Sequence, residues 1–283
     1  MSDIQVTSAF FSNNEAETSS KELSDDFLNL VDELNIQLEK FKIPSRVHCV
    51  YNPTIYARHT FEMYVRKYCS TRKPIMYFGM NPGPWGMSQT GVPFGEISSI
   101  RDWLGIEGPV EKPPVEIKTR PVTGFQCTRK EESGKRFWGF FKNLCGTPEI
   151  FFESSFVYNY LPQQWMKENG SNLTPEILKV SKQLYSICDP IFSKVVELYD
   201  VKIIVAVGRF CETRAQKCVE KYMSHNSVKN GTLKWHTLCV EIPKDVVRFV
   251  NKLYLIDLYN HTFTRACITQ RIGRGRYFCA QFC

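Results

Sequence analysis

No apolar run in this 283-residue sequence approaches the roughly 18 residues that a membrane-spanning helix requires, which excludes such a helix. The opening stretch, MSDIQVTSAFFSNNEAETSS, has no basic segment followed by an apolar one, so no secretory leader is expected. Eleven cysteines are present, but none form a CxxC pair or a regular spacing. They are expected as reduced thiols of a cytosolic or nuclear chain. The five histidines, His48, His59, His225, His236 and His261, include no pair with Cys or His at metal-ligand spacing. His48 and Cys49 are adjacent and would point to opposite faces of a strand. No metal site and no cofactor are therefore expected, and nothing marks a Cys nucleophile. Charged residues at 23% against 43% hydrophobic ones exclude a mainly disordered chain.

Charge is unevenly placed. Residues 1–39 carry nine Asp/Glu and one Lys, whereas residues 40–239 carry 28 Lys/Arg against 17 Asp/Glu. A basic body behind an acidic head suits a polyanion such as nucleic acid, although many soluble proteins carry a similar excess without one. Charge alone leaves both readings open.

The pattern along the chain alternates helices and strands. Residues 1–20 are polar and expected to be disordered. Phe27, Leu30, Val31, Leu34, Leu38 and Phe41 fall at helical spacing behind a Ser24 cap, which predicts a helix over 24–41. A second helix is predicted over 55–69. Ile75–Gly79 reads as a buried strand, followed by the Gly- and Pro-rich loop 80–95. Helices are predicted over 98–104, 133–145, 174–199 and 210–223, and strands over 151–158 and 201–207, with an irregular stretch over 105–130. Strands apolar on both faces, alternating with helices, point to an α/β fold with a central, mostly parallel sheet. Ligands in such sheets bind at the carboxyl ends of the strands, where loops 80–95 and 159–173 begin.

Asn81 stands in the first of these loops. Its amide can hold a water without acting as a strong base, and Pro82 and Pro84 stiffen the chain around it. An Asn before Pro is equally a common turn residue, and the residues alone favour that. Gly83 permits close approach of a ligand or simply makes a turn. Phe94 can stack on a planar ligand or anchor the loop in the core. Asn159 ends a strand; its carboxamide also matches an edge offering one donor beside one acceptor.

The segment Gly79-Met80-Asn81-Pro82-Gly83-Pro84-Trp85-Gly86-Met87-Ser88-Gln89-Thr90-Gly91-Val92-Pro93-Phe94-Gly95-Glu96 resembles the first active-site motif of the single-strand-selective monofunctional uracil-DNA glycosylases. The resemblance continues through Arg101–Gly105, Arg136–Phe141, Phe156–Asn159 and Asn172–Pro175, and covers about residues 45–230. It implies a three-layer α/β/α fold over residues 21–233. It also implies hydrolysis of the N-glycosidic bond of uracil and 5-modified uracils in DNA, without a cofactor, by a nuclear monomer that flips the target nucleotide. Asn81 would position the attacking water. Met80 and Phe94 would line the pocket, Gly83 would leave room beside C5, and Asn159 would read the uracil edge. Asn169, Gly170, Ser171, Asn172, Lys179 and Lys182 would contact DNA, single-stranded and double-stranded.

The sequence departs from the family near its end. The family's His-Pro-Ser-Pro-Arg motif, whose His donates to the uracil O2 and whose loop wedges into DNA, does not occur. Lys234 stands about where that His belongs, and His236 follows two residues later; either is a candidate substitute donor. Residues 234–283 show no further resemblance, which leaves open a DNA-binding variant with impaired catalysis.

Overall fold

A computed structural model describes residues 9–175, 182–223, 237–239 and 253–257. Three apolar strands form the centre: β2 (Ile75–Gly79), β3 (Ser155–Asn159) and β6 (Ile203–Val207). They run parallel in the order β3-β2-β6, and their near-continuous burial reflects helices covering both faces. On one face Met76, Phe78, Phe156 and Tyr158 meet α1 (Ala9–Glu39) and α7 (Lys182–Leu198). Phe27 of α1 lies edge-on to Phe156 and Tyr158, and Phe192 of α7 lies 4.5 Å from Phe78. On the other face Tyr77 packs on Phe137 and Phe141 of α5 (Glu132–Cys145) and on Phe151 of α6 (Pro148–Ser154). The result is the expected three layers around a parallel sheet. No described helix is long and apolar enough to cross a membrane.

Several boundaries differ from the sequence pattern. Helix α1 starts at Ala9 and so includes residues 9–20, which the polarity of the segment marked as disordered. A helix whose later turns are packed propagates through polar residues at one hydrogen bond per residue added, without a new nucleus. Phe151 and Phe152 belong to α6 rather than to a strand over 151–158. Pro148 opens that helix at its first position, and both rings pack on other helices, Phe152 stacking on Tyr68 at 4.0 Å. The predicted helix over 55–69 divides into α2 (Pro53–Tyr56) and α3 (Arg58–Tyr68). Loop 80–95 contains a single helical turn, α4 (Met87–Thr90), and residues 99–103 form a wide π-type turn.

Strands absent from the sequence reading build a second, small antiparallel sheet: β1 (Cys49–Tyr51), β4 (Gln164–Met166) and β5 (Asn172–Leu173). Helix α8 (Arg209–Cys218) follows β6. Beyond β6 the main sheet gains two antiparallel neighbours, β8 (Leu253–Asp257) and then β7 (Thr237–Cys239), both from the segment without family resemblance. Cys49, Cys69, Cys127, Cys145, Cys188, Cys211 and Cys218 are free thiols, five of them buried.

One buried polar knot ties α7 and α8 to the end of β3. Tyr160 Oη donates to Asp189 Oδ1 at 2.7 Å, and Arg214 Nη2 sits 2.9 Å from Asp189 Oδ2 with both side chains nearly inaccessible. Removing one partner of such a pair strands the other charge in a low dielectric. Asp189→Ala is therefore expected to cost about 3–5 kcal/mol, read as a lower urea midpoint, whereas a loss below about 1 kcal/mol would show that water replaces the carboxylate.

Candidate active site

The parallel register β2–β3 sets Gly79 opposite Asn159 at the carboxyl edge of the sheet. Beyond it the two chains stay zipped: Tyr160 N–H donates to Gly79 O, and Leu161 N–H to Met80 O, both at 2.9 Å. Asn81, two residues past Gly79, thus emerges beside the segment that carries Asn159. Both asparagines are half-buried. Asn81 Nδ2 donates to the Pro82 carbonyl at 3.2 Å. Asn159 Nδ2 points to Met87 Sδ at 3.2 Å.

Phe94 joins this pair. A Cβ built on Gly79 would lie 2.2 Å from Asn159 Oδ1 and 3.3 Å from Phe94 Cε2, so the ring and the carboxamide converge over a glycine with no room for a side chain. Phe94 adopts a left-handed backbone, φ 53°, which a bulky residue tolerates only where its surroundings hold it. One face of its ring stacks on Phe137 of α5 at 4.4 Å and 8°. Among the described residues no aromatic ring covers the other face. The loop closes on Glu96, a buried carboxylate that accepts from Ser98 Oγ, Ser99 N–H and Ser99 Oγ at 2.9, 2.9 and 2.6 Å.

Gly83 differs from the expectation of open space. A Cβ there would lie 2.5 Å from Glu131 Oε2, and one on Gly86 would lie 2.7 Å from Glu131 Cγ. The Cβ side of Gly83 is therefore filled by a carboxylate, and room for a ligand exists only on other sides of that residue. Glu131 caps α5 by accepting from Ser133 N–H at 3.3 Å. Desolvation raises its pKa against the pull of that hydrogen bond.

The residues expected to meet DNA fall into two groups. Asn169, Gly170, Ser171 and Asn172 form the turn and first strand residue of the β4–β5 hairpin, where Ser171 N–H donates to Asn169 Oδ1 at 3.0 Å. The hairpin root is held to the motif loop by Ser88 Oγ, which donates to Gln164 Oε1 at 2.7 Å. Lys182 is exposed at the start of α7. Lys179, Lys234 and His236 lie outside the described residues. Thr237, which follows His236, pairs with Ile256, itself opposite Ile204. The start of β7 is therefore level with the amino ends of the parallel strands, away from Gly79 and Asn159.

Three participants escaped the sequence reading. Met87 was seen only as part of the motif; Glu131 and Phe137 come from a distant helix. The acidic pair Glu131-Glu132 at a helix start was the one local signal for the second. Among the described residues no group of three His, Cys, Asp or Glu side chains is placed to hold a metal ion.

The raised pKa of Glu131 has a measurable consequence. A carboxyl whose folded pKa exceeds its unfolded value supports the fold fully below the unfolded value, about 4.3, and loses that support as pH rises through the folded value. The stability of the native chain relative to Glu131→Gln should therefore fall as pH rises from about 4 to 7. Urea midpoints across that range check this, and a flat difference would show that Glu131 is solvated.

No family model matches the chain. It is 44% identical over 217 residues to a single-strand selective monofunctional uracil DNA glycosylase of Bos taurus, covering 76% of this chain and 80% of that protein. The Mus musculus protein of that name is 46% identical over 201 residues, covering 70% and 72%. The Rattus norvegicus protein is 45% identical over 205 residues, covering 72% and 74%. The crystal structure of wild-type Pedobacter heparinus SMUG2 superposes with a TM-score of 0.45 at 16% identity, covering 70% of this chain and 82% of that one. With relatives of this identity spanning more than two thirds of its length, and with the motif residues gathered at one sheet edge, the chain belongs to the single-strand selective monofunctional uracil-DNA glycosylase family.

Proposed function

We propose that this chain hydrolyses the N-glycosidic bond of uracil and of 5-modified uracils in DNA, leaving an abasic site. The observation that supports this most is the convergence of Asn159 and Phe94 over Gly79, with Asn81 two residues further on. A flipped uracil would lie on the face of Phe94 turned from Phe137, which holds the ring rigid. Asn159 would then meet the base edge: its Oδ1 accepts from N3–H while its Nδ2, turning from Met87 Sδ, donates to O4. Cytosine presents the reverse pattern and would leave both groups mismatched. Asn81 Oδ1 would accept a hydrogen bond from the attacking water and fix its approach to the sugar, and Met80 would line the same mouth. A group at C5 would have to pass the backbone of Gly83 on the side away from Glu131.

No lysine is called on to attack the sugar, so water is the nucleophile and the strand stays intact. We further propose that the β4–β5 hairpin and Lys182 contact the DNA, with single strands preferred over duplex, and that the working form is a monomer acting on nuclear DNA within residues 21–233. Residues 234–283 form a divergent segment in this reading.

Departure of the base as an anion calls for a donor at its O2. The lack of the family's His-Pro-Ser-Pro-Arg motif in the sequence keeps open a second reading, in which the chain binds uracil-containing DNA but turns over slowly. A single-strand oligonucleotide carrying one uracil, assayed for alkali-labile sites, separates the two when this chain is run beside a version ending in the family's His-Pro-Ser-Pro-Arg motif. Equal rates support the first reading; binding with little excision supports the second.

Two substitutions test the pocket. Asn81→Ala should lower the excision rate about 100-fold or more while DNA affinity stays nearly unchanged, and normal turnover would refute the assignment. Gly79→Ala pushes the end of the Asn159 side chain and the edge of the Phe94 ring, so stability should fall by about 1–3 kcal/mol while uracil excision falls at least about tenfold. Undiminished excision in that variant would place the base elsewhere.

A further inference from the structure

Trp85 lies four residues past Asn81 in the same stiff loop, half-buried, with a guanidinium stacked near it from each of two other segments. Arg120 Cζ is 5.2 Å and Arg129 Cζ 4.9 Å from the indole centroid. Five other arginines, at 58, 66, 101, 136 and 214, each face a carboxylate within 4 Å. Among the described residues neither Arg120 nor Arg129 has such a partner. Glu131 packs on Gly83 and Gly86 and forms an ion pair with neither.

A guanidinium lying on an indole is oriented by the ring and keeps its edge donors for a planar or tetrahedral anion. Arg120 uses one of those donors, Nη1, on the Thr119 carbonyl at 2.8 Å, and its Nε is buried without an acceptor. Exposed Lys118 and Lys130 add charge on the same two segments.

The stack also bridges the pocket to the hairpin. Thr119 Oγ1 donates to Asn169 O at 3.4 Å, and a Cβ on Gly170 would lie 3.0 Å from Arg120 Cγ. A continuous strip thus runs from Asn81 through Trp85 and Arg120 to the tip of the β4–β5 hairpin.

We propose that Trp85, Arg120 and Arg129 form a cradle for backbone phosphates of the nucleic-acid strand next to the flipped nucleotide. The proposal rests on the glycosylase reading of the pocket and adds the course of the strand outside it. Trp85 acts as the platform on which both guanidiniums are held. Arg129 offers a charge-assisted, two-donor contact to one phosphate, and Arg120 offers the Nη donors that its Thr119 contact leaves over.

The test uses a uracil-free 20-nucleotide oligothymidylate, so that binding is read without excision. Affinity is measured by fluorescence anisotropy over a salt series for the full chain and its variants. The Arg120→Ala/Arg129→Ala double variant should flatten the plot of log K against log salt by about 1.4, or about 0.7 per lost phosphate contact. Trp85→Ala removes no charge, yet should flatten the plot in the same direction by releasing both guanidiniums. Arg129→Lys, which keeps the charge, should retain more of the slope than Arg129→Ala. Arg66→Ala/Arg72→Ala removes two charges near the start of β2, at the opposite sheet edge, and should leave the slope unchanged. Urea midpoints confirm that each variant is folded, and the exposed Arg129→Ala alone carries the test if the others are not. Unchanged slopes for the Arg120 and Arg129 variants, or an equal loss in the Arg66/Arg72 control, would overturn the cradle. Uracil excision by the unmodified chain is scored separately, so failure of the glycosylase reading and failure of the cradle give different results.

Discussion

The proposed pocket depends on one constraint: the parallel pairing that sets Gly79 against Asn159 and continues through the Tyr160–Gly79 and Leu161–Met80 hydrogen bonds. Parallel strands share a direction, so their carboxyl ends open onto the same edge, and loops that begin there must converge. A one-residue slip between β2 and β3 would turn Asn159 to the other face of the sheet and remove it from Phe94. The slip is resisted from both layers. Tyr77 faces the aromatic cluster of α5 and α6, and Phe78 faces Phe192, so neither strand can shift without exposing large rings. Burial that looks like ordinary core packing therefore sets the position of two carboxamides.

The motif loop is held from three sides rather than by its own sequence alone. Glu96 gathers the hydroxyls of Ser98 and Ser99 at one end, and Ser88 reaches Gln164 in the middle. The first turn of α5 presses Glu131 onto Gly83 and Gly86, while its second turn stacks Phe137 on Phe94. Phe94 keeps a left-handed backbone because these contacts leave it no alternative, and the strain is of the kind found where a side chain must be presented in one orientation. A partly buried carboxylate with a raised pKa beside the same loop adds an opposing electrostatic cost. Both features put stability into the geometry of the site.

Basic charge is distributed in two different ways. The arginines of α3 and α5 are engaged with carboxylates on their own or a neighbouring helix, such as Arg58 with Asp32 and Glu62. Near the motif loop the guanidiniums of Arg120 and Arg129 are engaged with an aromatic ring instead. The net charge of the chain, +7, conceals this difference, because counting charges does not tell paired from unpaired ones.

Local order carried much of the architecture in the sequence. The apolar runs at 75–79 and 201–207, the amphipathic stripe from Phe27 to Phe41, and the Gly-Pro wording of loop 80–95 are patterns over neighbouring residues; they became β2, β6 from Ile203 onward, α1, and a loop interrupted by the single turn α4. Asn81, Phe94 and Asn159 were legible because a long motif resembles a known family. What sequence order does not contain is contact between distant segments. Phe151 and Phe152 read as strand by composition, yet as part of a helix their rings pack on Tyr77, Trp138 and Tyr68. Strands of two and three residues, such as β5 and β4, have no periodicity to detect and exist only because β1 pairs with β4. Glu131 against Gly83, and Arg120 and Arg129 about Trp85, join residues tens of positions apart. Side-chain direction and through-space distance decide such pairings, and both are properties of the folded chain alone.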